Sequence, residues 1–301
     1  MSIIFVLDNL TAGNAYIRGM LVTVGMKAKS IDAKYIVANE FNPNSVNESD
    51  TVVFVKYDRL GQSSGVKKKG AKVVLDIVDS KKHWMLHRDN LDALIVNTES
   101  SKSIIRNRFN FKKPIFKIPH ILTNFSKDLK GQKRKNLPNK PKTLGYVGVS
   151  ETFTDAEFYE NFCNNNNLKW HQREASITTN EASTMEIDLG CINFSHESSR
   201  IGGTYTMTKP SAKMLNLFSY GIPALFSPYE SYIDAISSHN YHDLLWCVCG
   251  SKHTMIDKAK ILIEDQGLYK SMSNMSYELS KNFHISNTVN IYKQLLDFVG
   301  R

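Results

Sequence analysis

Short apolar runs recur along the first part of the chain and alternate with segments whose apolar residues have helical spacing. The runs IIFVL, YIVA, VVFV, VVLDIV, ALIV and PIFKI are strand-sized, which is typical of strands buried on both faces of a sheet. Helical spacing links Tyr16, Met20 and Val24, and ESSKSIIRNRF predicts a helix capped at Glu99 or Ser100. This order of elements predicts a parallel α/β sheet.

A polar and basic segment interrupts this pattern before a second α/β series begins. TNFSKDLKGQKRKNLPNKPKT contains prolines and a glycine, so we interpret residues 126–142 as a linker. After it, TLGYV, LKWHQRE, DLGCINF, ALFSP and DLLWCVCG predict strands, and the chain from Thr254 onward predicts helices. We therefore expect two Rossmann-like domains, residues 1–125 and 143–285, followed by a final helical segment over 286–301.

The stretch TMTKPSAKMLNLFSYGIPALFSP, residues 206–228, combines a basic helix start with a Gly-x-Pro end. Pro210 suits the first turn of a helix, where its missing N–H costs little, and Gly221 with Pro223 ends the helix. In an open α/β sheet, a helix N-terminus beyond the carboxyl ends of the strands presents free N–H groups to a phosphate. Lys209 and Lys213 flank this start. The stretch therefore predicts an anion and sugar site, to which Thr208, Ser211 and Asn216 add hydrogen-bonding groups.

DLGCINFS followed by TKPSAKMLNLFSYGIPALFS resembles the donor-binding segment of the GT-B glycosyltransferases, in particular their retaining families. LGYVGVSETF is similar to the first strand and glycine loop of the donor domain in that fold. Asn216 and Thr208 stand at the positions of two glutamates of the retaining families, and the arginine that follows the glycine loop in the family is absent. The resemblance implies an α/β protein of GT-B architecture, in which two Rossmann-like domains face a cleft and a C-terminal helix crosses back to the first domain.

The resemblance also implies roles for named side chains. Lys209 is expected to stabilise the leaving nucleotide diphosphate as the electrostatic catalyst. Asp79 and His120 lie near strand ends in the basic domain, where an inverting enzyme needs a base to deprotonate the acceptor hydroxyl. TAGNAYIRG resembles the first acceptor-domain loop, and we expect acceptor contacts from this region. The expected acceptor-binding residues are Asp8, Gly13 and Arg18; the expected nucleotide-sugar ligands are Gly148, Ser150, His196, Arg200, Thr208, Lys209, Ser211, Lys213 and Asn216.

No metal and no tightly bound cofactor is expected. The sequence lacks Asp-x-Asp, the motif with which metal-dependent GT-A enzymes hold a divalent ion, and the resemblance implies a nucleotide-diphosphate sugar, most simply a UDP-sugar, as donor substrate. The four cysteines lack zinc-like spacing, which indicates reduced thiols. No apolar run reaches the ~18 residues that span a bilayer, and the N-terminus lacks a basic n-region. These features predict a cytoplasmic enzyme, in the host cytoplasm if the protein is viral.

Charge is distributed unevenly between the two halves of the chain. Residues 1–142 carry 26 Lys and Arg against 12 Asp and Glu, whereas residues 143–301 carry 12 against 17. The basic half predicts an anionic partner. We expect the acceptor to be a hydroxymethylated base in DNA, flipped out of the duplex, as in phage-type DNA glycosyltransferases. The alternatives are a cell-surface glycan or lipid-linked acceptor at an anionic membrane, a nucleotide-sugar 2-epimerase, and a non-catalytic basic DNA-binding protein.

Overall fold

The described part of the chain divides into two compact units in the computed structural model. The first unit contains the chain up to Ile121, residues 209–210 and the C-terminal helix that begins at Ile285. The second unit contains the chain from Leu122 to His284 apart from that short insertion. The structure describes residues 2–10, 13–56, 58, 60–78, 82–124, 132–148, 153, 155–173, 184–192 and 209–300.

Parallel strands form the sheet of the first unit. Among the described residues they are β1 (Ile3–Leu7), β2 (Ala33–Val37), β3 (Thr51–Val55), β4 (Lys72–Asp76), β5 (Ala93–Val96) and β6 (Ile115–Lys117). Their spatial order is β2-β1-β3-β4-β5-β6, and Phe5 on β1 lies opposite Tyr35 on β2 and Val53 on β3. Strands β1, β3 and β5 are buried along their whole length. Burial on both faces explains their uninterrupted apolar sequences.

The helical segments between these strands include a π-helical stretch and two 3₁₀ helices, Pro43–Ser45 and Lys82–His87. Helix α1 consists of Gly13–Ala15, a π-helical stretch at Tyr16–Leu21, and Val22–Ala28. Helix α2 spans Ser63–Lys68, and α3 spans Glu99–Arg108. The predicted caps of α3 are wrong by one or two positions. Thr98 is the cap, because its backbone is extended and its side-chain oxygen accepts a hydrogen bond from the N–H of Ser101 at 3.0 Å.

The second unit is built on a smaller parallel sheet. Its strands within the described ranges are β7 (Thr143–Val147), β8 (Lys169–Arg173), β9 (Leu189–Ile192) and β10 (Ala224–Phe226), in the order β10-β9-β7-β8. The flanking helices are α4 (Ala156–Asn165), α5 (Ala212–Ser219), α6 (Glu230–Ser237), α7 (Lys252–Glu264) and α8 (Gln266–Ser280).

DLLWCVCG does not form the predicted strand. His242–Cys247 is a 3₁₀ helix, and only Val248 forms an isolated parallel bridge, to Phe226. Leu244 and Cys247 are its buried residues, and this spacing of three matches the period of a 3₁₀ helix. A short apolar run of this kind is compatible with a strand or with a 3₁₀ helix, and which of the two forms depends on which side chains are buried.

The C-terminal helix α9, Ile285–Val299, belongs to the first unit. Its Tyr292 ring packs edge-on against Phe5 of β1 at 5.6 Å, and Phe298 packs against Phe116 of β6 at 5.7 Å. Aromatic contacts of this geometry stabilise helix-to-sheet packing beyond the area they bury. Across the described ranges, no helix is both long and apolar enough to cross a bilayer.

Candidate functional site

The first turn of helix α5 has features that suit an anion. Pro210 and Ser211 precede it; the Ser211 side chain is 4% exposed and makes no capping hydrogen bond. The first turn contains no acidic residue. Because the first N–H groups of a helix have no partner inside it, this end carries a partial positive charge that suits a phosphate.

Lys213 extends from the first turn of α5 to the carboxyl end of β7. Its ammonium group donates a hydrogen bond to the Tyr146 hydroxyl and lies 4.5 Å from the centre of the Tyr146 ring. Gly148 follows β7, and a Cβ atom at this position would lie 2.7 Å from Lys213 Cε. Only glycine leaves room for the lysine. The arrangement places a cation at the end of a parallel strand, where open α/β sheets bind ligands.

Tyr146 is held in place by aromatic packing within the second unit. Its side chain is 1% exposed, and its ring stacks on Phe153 with the centroids 4.6 Å apart. Phe153 contacts Tyr159 and Trp170 in turn. The tyrosine therefore offers Lys213 a fixed hydroxyl. Tyr146 is not among the residues that the sequence predicted, and the available signal is its position two residues before the glycine of the TLGYVG loop.

Asn216 uses its side-chain oxygen inside the fold. Asn216 Oδ1 accepts hydrogen bonds from the Thr123 N–H at 3.0 Å and from Thr123 Oγ1 at 3.1 Å. One turn later, the Ser219 carbonyl accepts a bond from Asn124 Nδ2 at 2.9 Å. These hydrogen bonds hold the segment at Thr123 and Asn124, where the chain enters the second unit, against helix α5. Asn216 remains on the same helix as Lys213, but its oxygen is committed to Thr123 rather than to a ligand.

Gly221 ends α5 as the sequence predicted. Its φ of +75° is in the left-handed region, which favours glycine. Its N–H donates to the Phe218 carbonyl at 2.8 Å, which closes the last turn before Pro223. The Gly-x-Pro turn therefore directs the chain from the helix into β10 and fixes the helix beside the sheet.

Arg18 lies inside the first unit rather than at its surface. The side chain is 1% exposed, and its Nε and Nη2 atoms lie 2.7 and 2.6 Å from Asp76 Oδ2. Nη1 donates to the carbonyls of Ile118 at 2.9 Å and Pro119 at 2.8 Å. Burial raises the pKa of Asp76, and Arg18 opposes that shift. The ion pair joins α1, β4 and the chain after β6, so the guanidinium has no exposed face for the predicted contact with an acceptor.

His120 is also buried. Its side chain is 1% exposed, and neither ring nitrogen has a hydrogen-bond partner among the described residues. Burial, together with the positive charge of Arg18, holds the pKa of His120 well below its usual range. The imidazole is therefore neutral, but the described fold does not present it to a substrate as the predicted base requires.

The structure brings together only part of the predicted site. Gly148 and Lys213 meet directly, Ser211 and Asn216 lie on or beside the same helix, and Lys209 is half-buried just before Pro210. In the first unit, Asp8 follows β1, and Gly13 begins α1 with open space where a Cβ would stand. The remaining predicted residues lie outside the described ranges: Asp79, Ser150, His196, Arg200 and Thr208.

Comparison with solved structures identifies the fold. The structure of Anabaena HepE in complex with UDP and glucose matches with a TM-score of 0.59 at 10% identity, over 99% of both chains. T4 phage BGT in complex with its UDP-glucose substrate matches with a TM-score of 0.59 at 8% identity, over 99% of this chain and 100% of that one. The pneumococcal O-GlcNAc transferase GtfA, in complex with UDP and GlcNAc, matches with a TM-score of 0.60 at 12% identity, over 92% of this chain and 59% of that one.

These similarities confirm the α/β class and the GT-B glycosyltransferase fold that the sequence predicted. No family model matches the sequence, and no curated protein matches it. The chain spans only 55–59% of the length of the larger GtfA and TarM structures that it matches. At the identities given, the likeness establishes the fold, and the chemistry has to be argued from the residues of this chain.

Proposed function

We propose that this protein is a glycosyltransferase that moves a sugar from a nucleotide-diphosphate sugar, a UDP-sugar, to a hydroxyl group. The observation that carries the proposal is the Lys213 ammonium, held between the Tyr146 hydroxyl and Gly148 at the end of β7. In a GT-B fold, several of whose solved examples contain UDP, this is a suitable position for a diphosphate.

The proposed chemistry is electrostatic stabilisation of the departing nucleotide diphosphate. Negative charge grows on the diphosphate as its bond to the sugar breaks, and a positioned cation stabilises that charge more than it stabilises the bound substrate. Lys213 and the first turn of α5 supply positive charge from the described residues. Lys209, which directly precedes this helix, is proposed to contribute a second ammonium group. Asp79 remains the proposed base that accepts the proton from the acceptor hydroxyl.

For the acceptor, we propose the hydroxymethyl group of a modified base in DNA. The excess of positive charge over residues 1–142 supports a polyanionic acceptor. The similarity to a phage protein over the full length of both chains agrees with the phage-type DNA glycosyltransferases that the sequence resemblance suggests, and DNA is therefore preferred among the polyanions. A base acceptor would have to leave the duplex to reach an enzyme active site. The alternative is a cell-surface glycan or lipid-linked acceptor, whose anionic groups would also be attracted to the basic half of the chain.

Mass spectrometry of nucleosides tests this function. The protein is incubated with hydroxymethylated or unmodified DNA and a pool of UDP- and GDP-sugars, and the DNA is then digested. The expected result is a gain of one sugar mass on the hydroxymethylated base only. The Lys213→Met variant should lose roughly 10²-fold in rate, a typical loss for a removed transition-state stabiliser, whereas Lys260→Met, on the exposed side of α7, should not.

Separate measurements of nucleotide-sugar binding distinguish failure of the DNA acceptor from failure of the glycosyltransferase proposal. UDP bound with normal affinity but no mass gain would overturn the DNA acceptor and direct the search to glycans and lipid-linked sugars. Failure to bind any nucleotide sugar would overturn the glycosyltransferase proposal itself.

A further inference from the structure

A basic groove in the second unit lies apart from the candidate donor site. It has a volume of about 780 Å³ and runs between residues 134–139, within the basic segment that the sequence marked as a linker, and the start of α8. Its volume is in the range of small-molecule sites. Among the described residues, its lining includes Arg134, Lys135 and Lys270 and no carboxylate.

Arg134 forms a fixed part of this groove. Its Nη2 atom donates to Ser273 Oγ at 3.3 Å and to Asn274 Oδ1 at 2.5 Å. Its guanidinium carbon lies 5.0 Å from the centre of the Tyr277 ring, a cation–π contact. Both hydrogen bonds use one nitrogen, so the other N–H groups are not engaged in a hydrogen bond with a described residue. A guanidinium held in this way is ready to bind a ligand oxygen without losing much side-chain freedom.

Lys270 supplies a cation whose charge is not neutralised within the described structure. It is exposed and makes no ion pair or hydrogen bond with a described residue. Helical spacing places Gln266, Lys270 and Asn274 on one face of α8. Lys135 differs, because its ammonium group pairs with Asp188 Oδ1 at 2.7 Å. Lys270 and Arg134 therefore dominate the positive charge available to a ligand.

The groove and the candidate donor site lie at opposite ends of α5. Lys213 stands in the first turn, whereas the Lys135 N–H donates to the Tyr220 carbonyl, just past the last turn, at 2.9 Å. Arg134 packs against Gly221, where a Cβ would lie 3.1 Å from Arg134 Nε. A helix of this length separates its ends by about 12 Å. A ligand in the groove would therefore not share the site proposed for the nucleotide diphosphate.

We infer that this groove is a second ligand site, which binds a phosphate ester. Hydrogen-bond donors reach it from both walls: Arg134 and Asn136 from the basic segment, Gln266 and Lys270 from α8. Donors that converge from several directions match the tetrahedral oxygens of a phosphate. Asp265 is at the start of α8, but its carboxylate caps the Leu268 N–H at 2.8 Å and does not line the groove.

Charge reversal at Lys270 tests the inference. Binding of a short fluorescein-labelled single-stranded oligonucleotide is followed by anisotropy, and binding of ribose 5-phosphate by calorimetry. Lys270→Glu should weaken the binding of one of these probes by at least about tenfold. If the weakened probe is the oligonucleotide, Lys270→Gln should also lower the salt dependence of its binding by about one counterion. Lys260→Glu on α7 is the matched control, because it changes the net charge equally outside the groove.

The two probes identify the source of the phosphate. A loss confined to the oligonucleotide assigns the groove to a nucleic-acid strand, and a loss for ribose 5-phosphate assigns it to a small phosphorylated sugar. Equal losses in Lys270→Glu and Lys260→Glu, or no binding of either probe to the unaltered protein, would overturn the inference. UDP affinity should stay unchanged in both variants, so this test does not depend on the function proposed for the donor site.

Discussion

Replacing Gly148 with alanine isolates the contribution of a correctly placed Lys213. The added Cβ would lie 2.7 Å from Lys213 Cε, 2.8 Å from its Nζ and 2.7 Å from the Tyr146 hydroxyl. Carbon atoms pack best at about 3.5–4.0 Å, so the end of the lysine has to move by roughly 1 Å. Because a lysine terminus is flexible, the ammonium should leave the tyrosine. The contact with the Tyr146 hydroxyl is not relieved by this movement, since aromatic neighbours hold that ring in place.

The expected result is a large functional effect together with a measurable loss of stability. Removing one stabilising group from a transition state costs about 10²–10³ in kcat, and displacing Lys213 should cost roughly 10-fold to 10²-fold. Overpacking typically costs about 1–3 kcal/mol. Because the contact with the Tyr146 hydroxyl remains after the lysine moves, the free energy of unfolding should decrease by an amount within that range. Calorimetry with UDP, turnover of a UDP-sugar and thermal unfolding measure the three quantities. Gly250→Ala is the control, since a Cβ there meets no atom within 4 Å.

A double variant provides the refuting test. If Gly148→Ala acts by displacing Lys213, then adding Lys213→Met should make the two effects strongly non-additive. Wild-type UDP affinity and turnover in Gly148→Ala, with unfolding unchanged, would show that the position of Lys213 does not matter. A further tenfold loss in the double variant, relative to Lys213→Met alone, would show that Gly148 acts by another route.

Three further predictions concern polar side chains inside the fold, of which Asp76 and His120 are buried and Asn216 is half-buried. Asp76→Asn should lower the free energy of unfolding by about 3–5 kcal/mol, because it leaves the charge of Arg18 buried and unpaired; urea unfolding measures this, and a loss below about 1 kcal/mol would contradict it. Asn216→Leu should cost about 1–3 kcal/mol by leaving the Thr123 N–H and hydroxyl without their acceptor, and wild-type stability in urea would refute that bond. His120 has a pKa that is lowered on folding, so the unfolded chain binds the proton first and stability should fall as pH drops below about 6.5, by up to about 1.4 kcal/mol per unit. His120→Phe should reduce that slope in urea unfolding between neutral and mildly acidic pH, and an unchanged slope would rule out His120 as its source.

The sequence predicted those parts of the fold that depend on local pattern. Continuous apolar runs identify the strands of the first sheet because both faces of a parallel sheet are covered. Pro210 and Gly221 bracket α5 because one suits a helix start and the other a left-handed end. The strand predicted for DLLWCVCG is wrong, because a short apolar run has no periodicity that distinguishes a strand from a helix. Its structure depends on which of its side chains the rest of the unit buries.

The contacts that form the candidate site depend instead on strand order. Lys213 and Tyr146 are separated by 67 residues, and they meet because β7 lies near the centre of its sheet, beside β9. Arg18 and Asp76 are separated by 58 residues, and the strand order of the first sheet likewise brings them together. The residues around Arg18 have the pattern of a loop that leads into a helix. Nothing in that pattern indicates that a carboxylate on β4 holds the guanidinium inside the protein.

Asn216 supports the fold with one side-chain atom and leaves another available for ligand binding. Its oxygen is committed to two hydrogen bonds from Thr123, whereas its Nδ2 donates no hydrogen bond to a described residue. A glutamate at this position can only accept hydrogen bonds when ionised, but an asparagine amide also donates them. A hydroxyl group that meets Asn216 would therefore act as acceptor, in contrast to the hydroxyl–glutamate pairing that the family resemblance implies. The change of residue type reverses the direction of the hydrogen bond that this helix can offer to a sugar.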